Sequence, residues 1–309
     1  MADGGRRDGG PGRDRGRTGP LRGAVAVVTG ASRGIGKGIA VELGTAGATV
    51  YVTGRTTAAG GVLPGTISET AAAVDEAGGR GVAVRCDHHD DNQVAQLFDR
   101  IRQEQGRLNV LVNNVYSSPD LVPWLNKPFW ELPPDAWDQV VGIGARSHYV
   151  AAALGVPLML GHEPSLVVNV SSSGAVQYAH NVLYGVGKAA VDKLSADMAH
   201  ELAPRGVTVV SLWPGLVRTE LTMMGAVRTD DGREVLRLPG EGEFDLGQAE
   251  TPRFCGRAVV AMASDADVGG RTGRAWPVAE LARAYGFTDV DGRIPEVLMR
   301  PAEEKAAPR

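Results

Sequence analysis

Tyr184 and Lys188 stand four residues apart in the run Tyr184-Gly185-Val186-Gly187-Lys188. On a helix that spacing brings both side chains to one face, with Cβ atoms about 5–6 Å apart. An ammonium held there favours the phenolate of its neighbour, so the pair can give or take a proton at a carbonyl. The same spacing also arises on ordinary helix surfaces. What distinguishes this pair is its setting: upstream, an apolar run ends at Asn169-Val170 and is followed by Ser171, Ser172 and Ser173. A hydroxyl at such a strand end can hold a substrate oxygen as charge develops on it.

Chemistry at a carbonyl needs elements that bring a second reactant to the tyrosine. Ala24 to Thr29 is a continuous apolar run of strand length, as expected where both faces of a sheet are covered. It leads into Gly30-Ala31-Ser32-Arg33-Gly34-Ile35-Gly36 and then a helical pattern from Lys37 to Ala46. Strand, glycine loop and helix form a phosphate cradle, because the backbone can approach closely and the helix start presents free N–H groups. The spacing is G-x-x-x-G-x-G, not the commoner G-x-G-x-x-G. Gly30, Ser32, Arg33, Gly34, Ile35 and Gly36 are therefore expected to contact a nucleotide. The next strand, Ala48 to Thr53, runs into Gly54-Arg55 with no acid to accept from a ribose hydroxyl. Arg55, with Arg33, can instead pair with a 2′-phosphate, which predicts NADP(H) in preference to NAD(H).

Further along, Ile67 to Ala77 reads as a helix, Gly81 to Cys86 as a strand, Asp91 to Glu104 as a helix and Leu108 to Val112 as a strand. Such alternation predicts an α/β fold, a parallel sheet with helices on both faces and ligands at the carboxyl ends of its strands. Asp87 and Asn113 stand at such ends, where they can contact an adenine or a ribose.

Thr29-Gly30-x-x-x-Gly34-x-Gly36, Asp87, Asn113-Asn114, the serines after Asn169-Val170, Tyr184-x-x-x-Lys188 and Pro214-Gly215 with Thr219 occur in the order and spacing of a short-chain dehydrogenase/reductase. The chain resembles that family over roughly residues 23 to 220, and runs such as Tyr184–Lys193 and Ser211–Glu220 belong to a narrower similarity reaching about residue 293. The resemblance implies a Rossmann-type, doubly wound single domain with a seven-stranded parallel sheet, an NAD(P) cofactor and hydride transfer between carbonyl and hydroxyl. It implies that Tyr184 is the general acid or base, that Lys188 also bonds the nicotinamide ribose, and that Pro214, Gly215 and Thr219 border the cofactor. Counting forward from Asn169 favours Ser172 as the serine on the substrate oxygen; counting back from the tyrosine points to Ser171, and Ser173 is third. One departure stands out. Where many members carry an asparagine behind the lysine, this chain has Gly144, with Ser147 and His148 as candidates to replace it.

The remaining sequence bounds partners and substrate. Of the 309 residues 43% are hydrophobic and the net charge is −4, which supplies a sizeable core and no electrostatic case for nucleic acid. No apolar run approaches the ~20 residues of a membrane span. Cys86 and Cys255 fit no metal spacing and read as reduced cysteines of a cytoplasmic protein. Residues 1–22, with seven glycines and six arginines, and residues 302–309 read as disordered tails around one domain spanning 23–301. Trp124, Phe129, Trp130 and Trp137 either line an apolar pocket or pack on one another. The weakly periodic stretch 220–249 takes the place of a substrate lid. Together these features predict an apolar ketone or aldehyde, or the matching alcohol, as substrate; the alternatives are a cofactor-sensing regulator without turnover and an enzyme acting on another bond, as an enoyl reductase or dehydratase does. Small residues on the helix after Tyr184 (Ala189, Ala190, Ala196, Ala199) predict a homodimer or homotetramer.

Overall fold

The computed structural model describes residues 19–116, 124, 127–238 and 242–296. The tail expected at 302–309 and most of that at 1–22 lie outside the described residues. Order begins before Gly23, however: Leu21 is buried and its N–H donates to the Ala46 carbonyl at 2.9 Å.

Seven strands form one parallel sheet: β1 (Val25–Val28), β2 (Thr49–Gly54), β3 (Arg80–Arg85), β4 (Val110–Asn113), β5 (Leu166–Val170), β6 (Thr208–Trp213) and β10 (Ala275–Pro277). Their order is β10-β6-β5-β4-β1-β2-β3. The chain winds outward from β1 in one direction and from β4 in the other, so a crevice opens where the two halves diverge, beyond the carboxyl ends of β1 and β4. The apolar run of β1 has no polar face because it has no solvent face. Ala26 and Val28 join the core beneath α1 (Gly34–Thr45), α2 (Ile67–Glu76) and α7 (Pro252–Ala263), while Val25 and Val27 join the core beneath α3 (Asp91–Gln105) and α4 (Ser147–Gly155).

Helix boundaries explain part of the site. α2 starts on a capping box, Thr66 with Glu69, and α3 on Asp90, whose carboxylate accepts from the Asn92 and Gln93 amides. α1 begins at Gly34, three residues earlier than the apolar pattern suggests, which brings Gly34 and Gly36 into its first turn. Ahead of α4 runs a π-helical stretch, Asp138–Arg146. α5 (Val182–Leu202) carries Tyr184 and Lys188. Ala199 is in the core under this helix rather than on an outer face.

The described residues of the stretch expected to be a weakly structured lid are folded. α6 (Glu220–Met224) leads into an antiparallel sheet of β7 (Ala226–Arg228), β8 (Glu234–Leu238) and β9 (Gly242–Asp245). Gly232, at φ +87°, turns the β7–β8 hairpin in a region that side chains disfavour. A last helix, α8 (Val278–Tyr285), follows β10. No helix among the described residues is long and apolar enough to cross a membrane.

Candidate active site

Asn181 caps α5 by accepting from the Tyr184 N–H at 3.0 Å, which fixes where the first turn of the helix begins. Tyr184 and Lys188 then fall one turn apart, and the Tyr184 hydroxyl donates to Ser172 Oγ at 2.9 Å. Close approach of loop and ring depends on Gly174: a Cβ there would lie 2.5 Å from Tyr184 Cε1. The three serines separate by geometry. Ser171 turns away and donates to the Lys188 carbonyl at 3.1 Å; Ser173 accepts from Gln177 at 3.2 Å; Ser172 alone of the three bonds the tyrosine hydroxyl.

The ammonium of Lys188 lies in the interior and donates to the Val170 carbonyl at 3.2 Å. It stands 5.2 Å from the ring centre of Tyr116 and 5.9 Å from that of Tyr184, within reach of cation–π attraction. Burial draws its pKa from the ordinary 10.5 down to about 8, against the opposing charge of Asp192 one turn further along. Asp192 accepts from Ser211 at 2.5 Å and from the Trp213 indole at 3.2 Å, tying α5 to β6.

Behind the lysine, a side chain at Gly144 would stand 3.7 Å from Tyr116 Cδ2, so the tyrosine ring borders that space. Of the two replacements expected for the missing asparagine, Ser147 spends its hydroxyl on the Ile143 carbonyl of the π-helical stretch ahead of it. His148 is the one that feels the lysine. Its ring is enclosed, with Nε2 3.4 Å from the Val115 carbonyl and Nδ1 unpartnered, and burial followed by the Lys188 charge pushes its pKa down to about 3. It is a neutral imidazole at physiological pH.

A cleft of about 450 Å³ opens beside this group at the crevice between β1 and β4. Gly30, Ser32, Arg33, Gly34, Ile35, Arg55, Asp87 and Thr219 line it. Gly36 supports it from below, where a Cβ would meet the Gly30 carbonyl at 2.5 Å. The head of α1 accepts an anion as it stands, since the Gly34 N–H donates to the Glu220 carboxylate at 2.8 Å. This is the donor arrangement a dinucleotide phosphate requires. Arg55 is exposed at the rim, whereas Arg33 braces the neighbouring loop by donating to the carbonyls of Pro64 at 2.8 Å and Gly65 at 2.9 Å.

Asn113 is not in the cleft. It is fully buried and donates to Asn169 Oδ1 at 2.9 Å, and Asn169 donates to Ser195 Oγ at 2.9 Å, so a polar chain runs from β4 through β5 to α5. The neighbouring Asn114 faces the loop instead, donating to the carbonyls of Thr29 and Gly30, each at 3.1 Å.

On the other side of Tyr184 a second cavity of about 360 Å³ is lined by Ser172, Pro214, Gly215, Leu238, Phe244 and Glu250 among others. Its apolar wall includes Leu238 and Phe244, from the end of β8 and from β9. Of the two readings of the aromatic cluster, packing on one another fits Phe129 and Trp130, which pair edge to face; both are exposed, as is Trp137, and none of the three lines this cavity.

Glu250 had no sequence signal, since an acid ahead of Thr251-Pro252 looks like part of a helix start. It is buried, and its backbone clamps the loop below the cavity by donating to the Leu216 carbonyl at 2.7 Å and accepting from the Arg218 N–H at 2.8 Å. Burial, reinforced by Asp289 and opposed by the Gly215 N–H, raises its carboxyl from 4.5 to about 8. The folded state therefore keeps a proton that the unfolded chain gives up, so stability drains away as pH rises from 4.5 to about 8 and is level above that. Glu250→Gln should be the more heat-stable protein, with a melting-temperature advantage that grows to roughly 5 °C by pH 8. Thermal melts at pH 5 and pH 8 check this, and an advantage independent of pH would refute it.

The family described as short chain dehydrogenase matches residues 24–229. The chain is 45% identical over 276 residues to dehydrogenase/reductase SDR family member 1 of Mus musculus, covering 89% of this chain and 85% of that one. The Homo sapiens protein of the same name is also 45% identical, over 278 residues. Among solved structures, a putative dehydrogenase from Xanthomonas campestris superimposes with a TM-score of 0.76 at 26% identity, over 91% of this chain and 99% of that one. A metagenomic short-chain oxidoreductase in complex with NADP gives 0.62 at 26% identity, over 80% and 93%.

Proposed function

The chain belongs to the short-chain dehydrogenase family of oxidoreductases, and from that premise we propose that it transfers hydride reversibly between NADP(H) and an apolar ketone or aldehyde. The observation that carries the proposal is the 2.9 Å bond between Tyr184 and Ser172 beside an interior lysine, on the wall of the smaller cavity and in edge contact with Tyr116, which lines the cleft. A nicotinamide cofactor held through Ser32, Gly34 and Arg55 of the cleft would supply or take the hydride. In reduction Tyr184 gives its hydroxyl proton to the substrate oxygen, and in oxidation its phenolate takes that proton back. Ser172 donates to the same oxygen as charge builds there. Lys188 favours the phenolate and, being close to neutrality itself, loses that influence in alkaline solution.

Leu238, Phe244 and Leu216 favour an apolar substrate in the smaller cavity. Arg55 at the rim supports a cofactor carrying a 2′-phosphate, as does the NADP bound by the metagenomic relative. The proposal extends to the cytoplasm as the site of action and to a homodimer or homotetramer paired along the exposed face of α5, which light scattering measures.

A panel of ketones and aldehydes with NADPH and NADH side by side tests the central claim through nicotinamide absorbance. Wild type should reduce members of the panel and favour NADPH. Arg55→Ala should raise the KM for NADPH about tenfold and leave that for NADH unchanged. Oxidation of neither cofactor across the panel would exclude the activity; equal losses with both cofactors would remove Arg55 from 2′-phosphate recognition.

A further inference from the structure

Glu220 is the first residue of α6, directly after Thr219, whose methyl group would lie 3.4 Å from a Cβ placed on Gly34. Its carboxylate reaches back to the head of α1 and accepts from the Gly34 N–H at 2.8 Å. The contact joins the phosphate cradle to the start of the segment that carries Leu238 and Phe244 into the smaller cavity. A carboxylate and a phosphate oxygen want the same thing from a helix start: an N–H donor and the positive end of the dipole. They cannot share one donor, and their like charges repel at that distance.

We propose that Glu220 is a resident competitor for the cofactor's phosphate: it holds the Gly34 donor until a phosphate takes it, and its release frees the first turn of the lid. The inference rests on the assignment of the cleft to a dinucleotide. Cofactor affinity is then set below what the cradle alone would give, and the difference goes into moving α6. By linkage, whatever holds α6 against α1 weakens the cofactor by the same factor.

Titration calorimetry with NADP+ at low ionic strength tests this on Glu220→Ala, Glu220→Gln and, as a control for charge elsewhere on the lid, Glu234→Gln. Glu234 pairs with Arg218 at 2.8 Å and has no part in the cradle. Glu220→Ala removes both charge and contact and should bind NADP+ about tenfold more tightly than wild type. Glu220→Gln keeps an oxygen that can accept from Gly34 and should gain about threefold, the contact alone surviving. Glu234→Gln should match wild type. Freed of its anchor, the lid of Glu220→Ala should also be cut faster by trypsin at Arg228 and Arg233. Unchanged or weaker NADP+ binding in Glu220→Ala overturns the proposal. So do equal gains in the Ala and Gln variants, which would reduce Glu220 to a distant charge, and an unchanged rate of lid cleavage. If wild type and all variants bind neither NADP+ nor NAD+, the failure lies in the cofactor assignment.

Discussion

Tyr184→Phe should reduce ketones about 1000-fold more slowly than wild type while binding cofactor as tightly. The substitution removes one oxygen and leaves the ring. Edge contacts to Tyr116, with centroids 6.0 Å apart, and to His180 at 4.7 Å survive. The helix cap through Asn181 uses the Tyr184 backbone and is untouched. What disappears is the proton and the bond to Ser172 Oγ. The loss should therefore appear in kcat, with little change in the dissociation constant for NADP+ or in melting temperature. Stopped-flow hydride transfer, calorimetry and thermal melts separate the three. A variant that turns over at the wild-type rate would exclude Tyr184 as the proton donor.

Gly36→Ala should weaken NADP+ binding about 100-fold, because the new methyl group has nowhere to go. Its Cβ would fall 2.5 Å from the Gly30 carbonyl oxygen, 2.6 Å from Asn114 Nδ2 and 2.9 Å from Ala31 Cα. Two of the three obstacles are backbone, so the loop itself must open, and overpacking of that kind costs about 3 kcal/mol, or about 100-fold in affinity. The same shift breaks the bonds from Asn114 that hold the loop against β1. Gly142→Ala is the comparison, since its nearest neighbour would be Asp138 Cβ at 3.9 Å, an ordinary contact. Calorimetry with NADP+ should find Gly142→Ala close to wild type; equal affinities for the two variants would show that the cradle tolerates the methyl group.

Most of the parallel sheet was legible because β1, β2, β4, β5 and β6 are covered on both faces and so read as largely apolar runs. The positions around Tyr184 were legible because short spacings on one helix and at strand ends survive translation into three dimensions. Two neighbouring asparagines were not. Side chains on a strand alternate, and a shift of one residue moves every group to the opposite face. Asn113 therefore turns inward to Asn169, and Asn114 takes the loop. Nothing in the pair Asn113-Asn114 says where the alternation starts.

The antiparallel sheet is faint in the sequence for a different reason: β7 and β8 are short, and Val235 is the one buried residue between them. Asp231-Gly232 between them is nonetheless a hairpin signal. Glu250, Tyr116 and Glu220 had no such trace. Each owes its importance to a partner far away in the chain, Leu216, Lys188 and Gly34 respectively.

The lid sheet has a consequence for how this enzyme can diverge. β7, β8 and β9 bond to one another and, among the described residues, form no ladder with the seven-stranded sheet, yet Leu238 and Phe244 line the cavity beside Tyr184. Mutations in that small unit can reshape the entrance while the strands that hold Ser172 and the helix that holds Tyr184 and Lys188 stay as they are. Selection for a new substrate and selection for a stable fold then act on different residues, and a lineage can explore the first without risking the second.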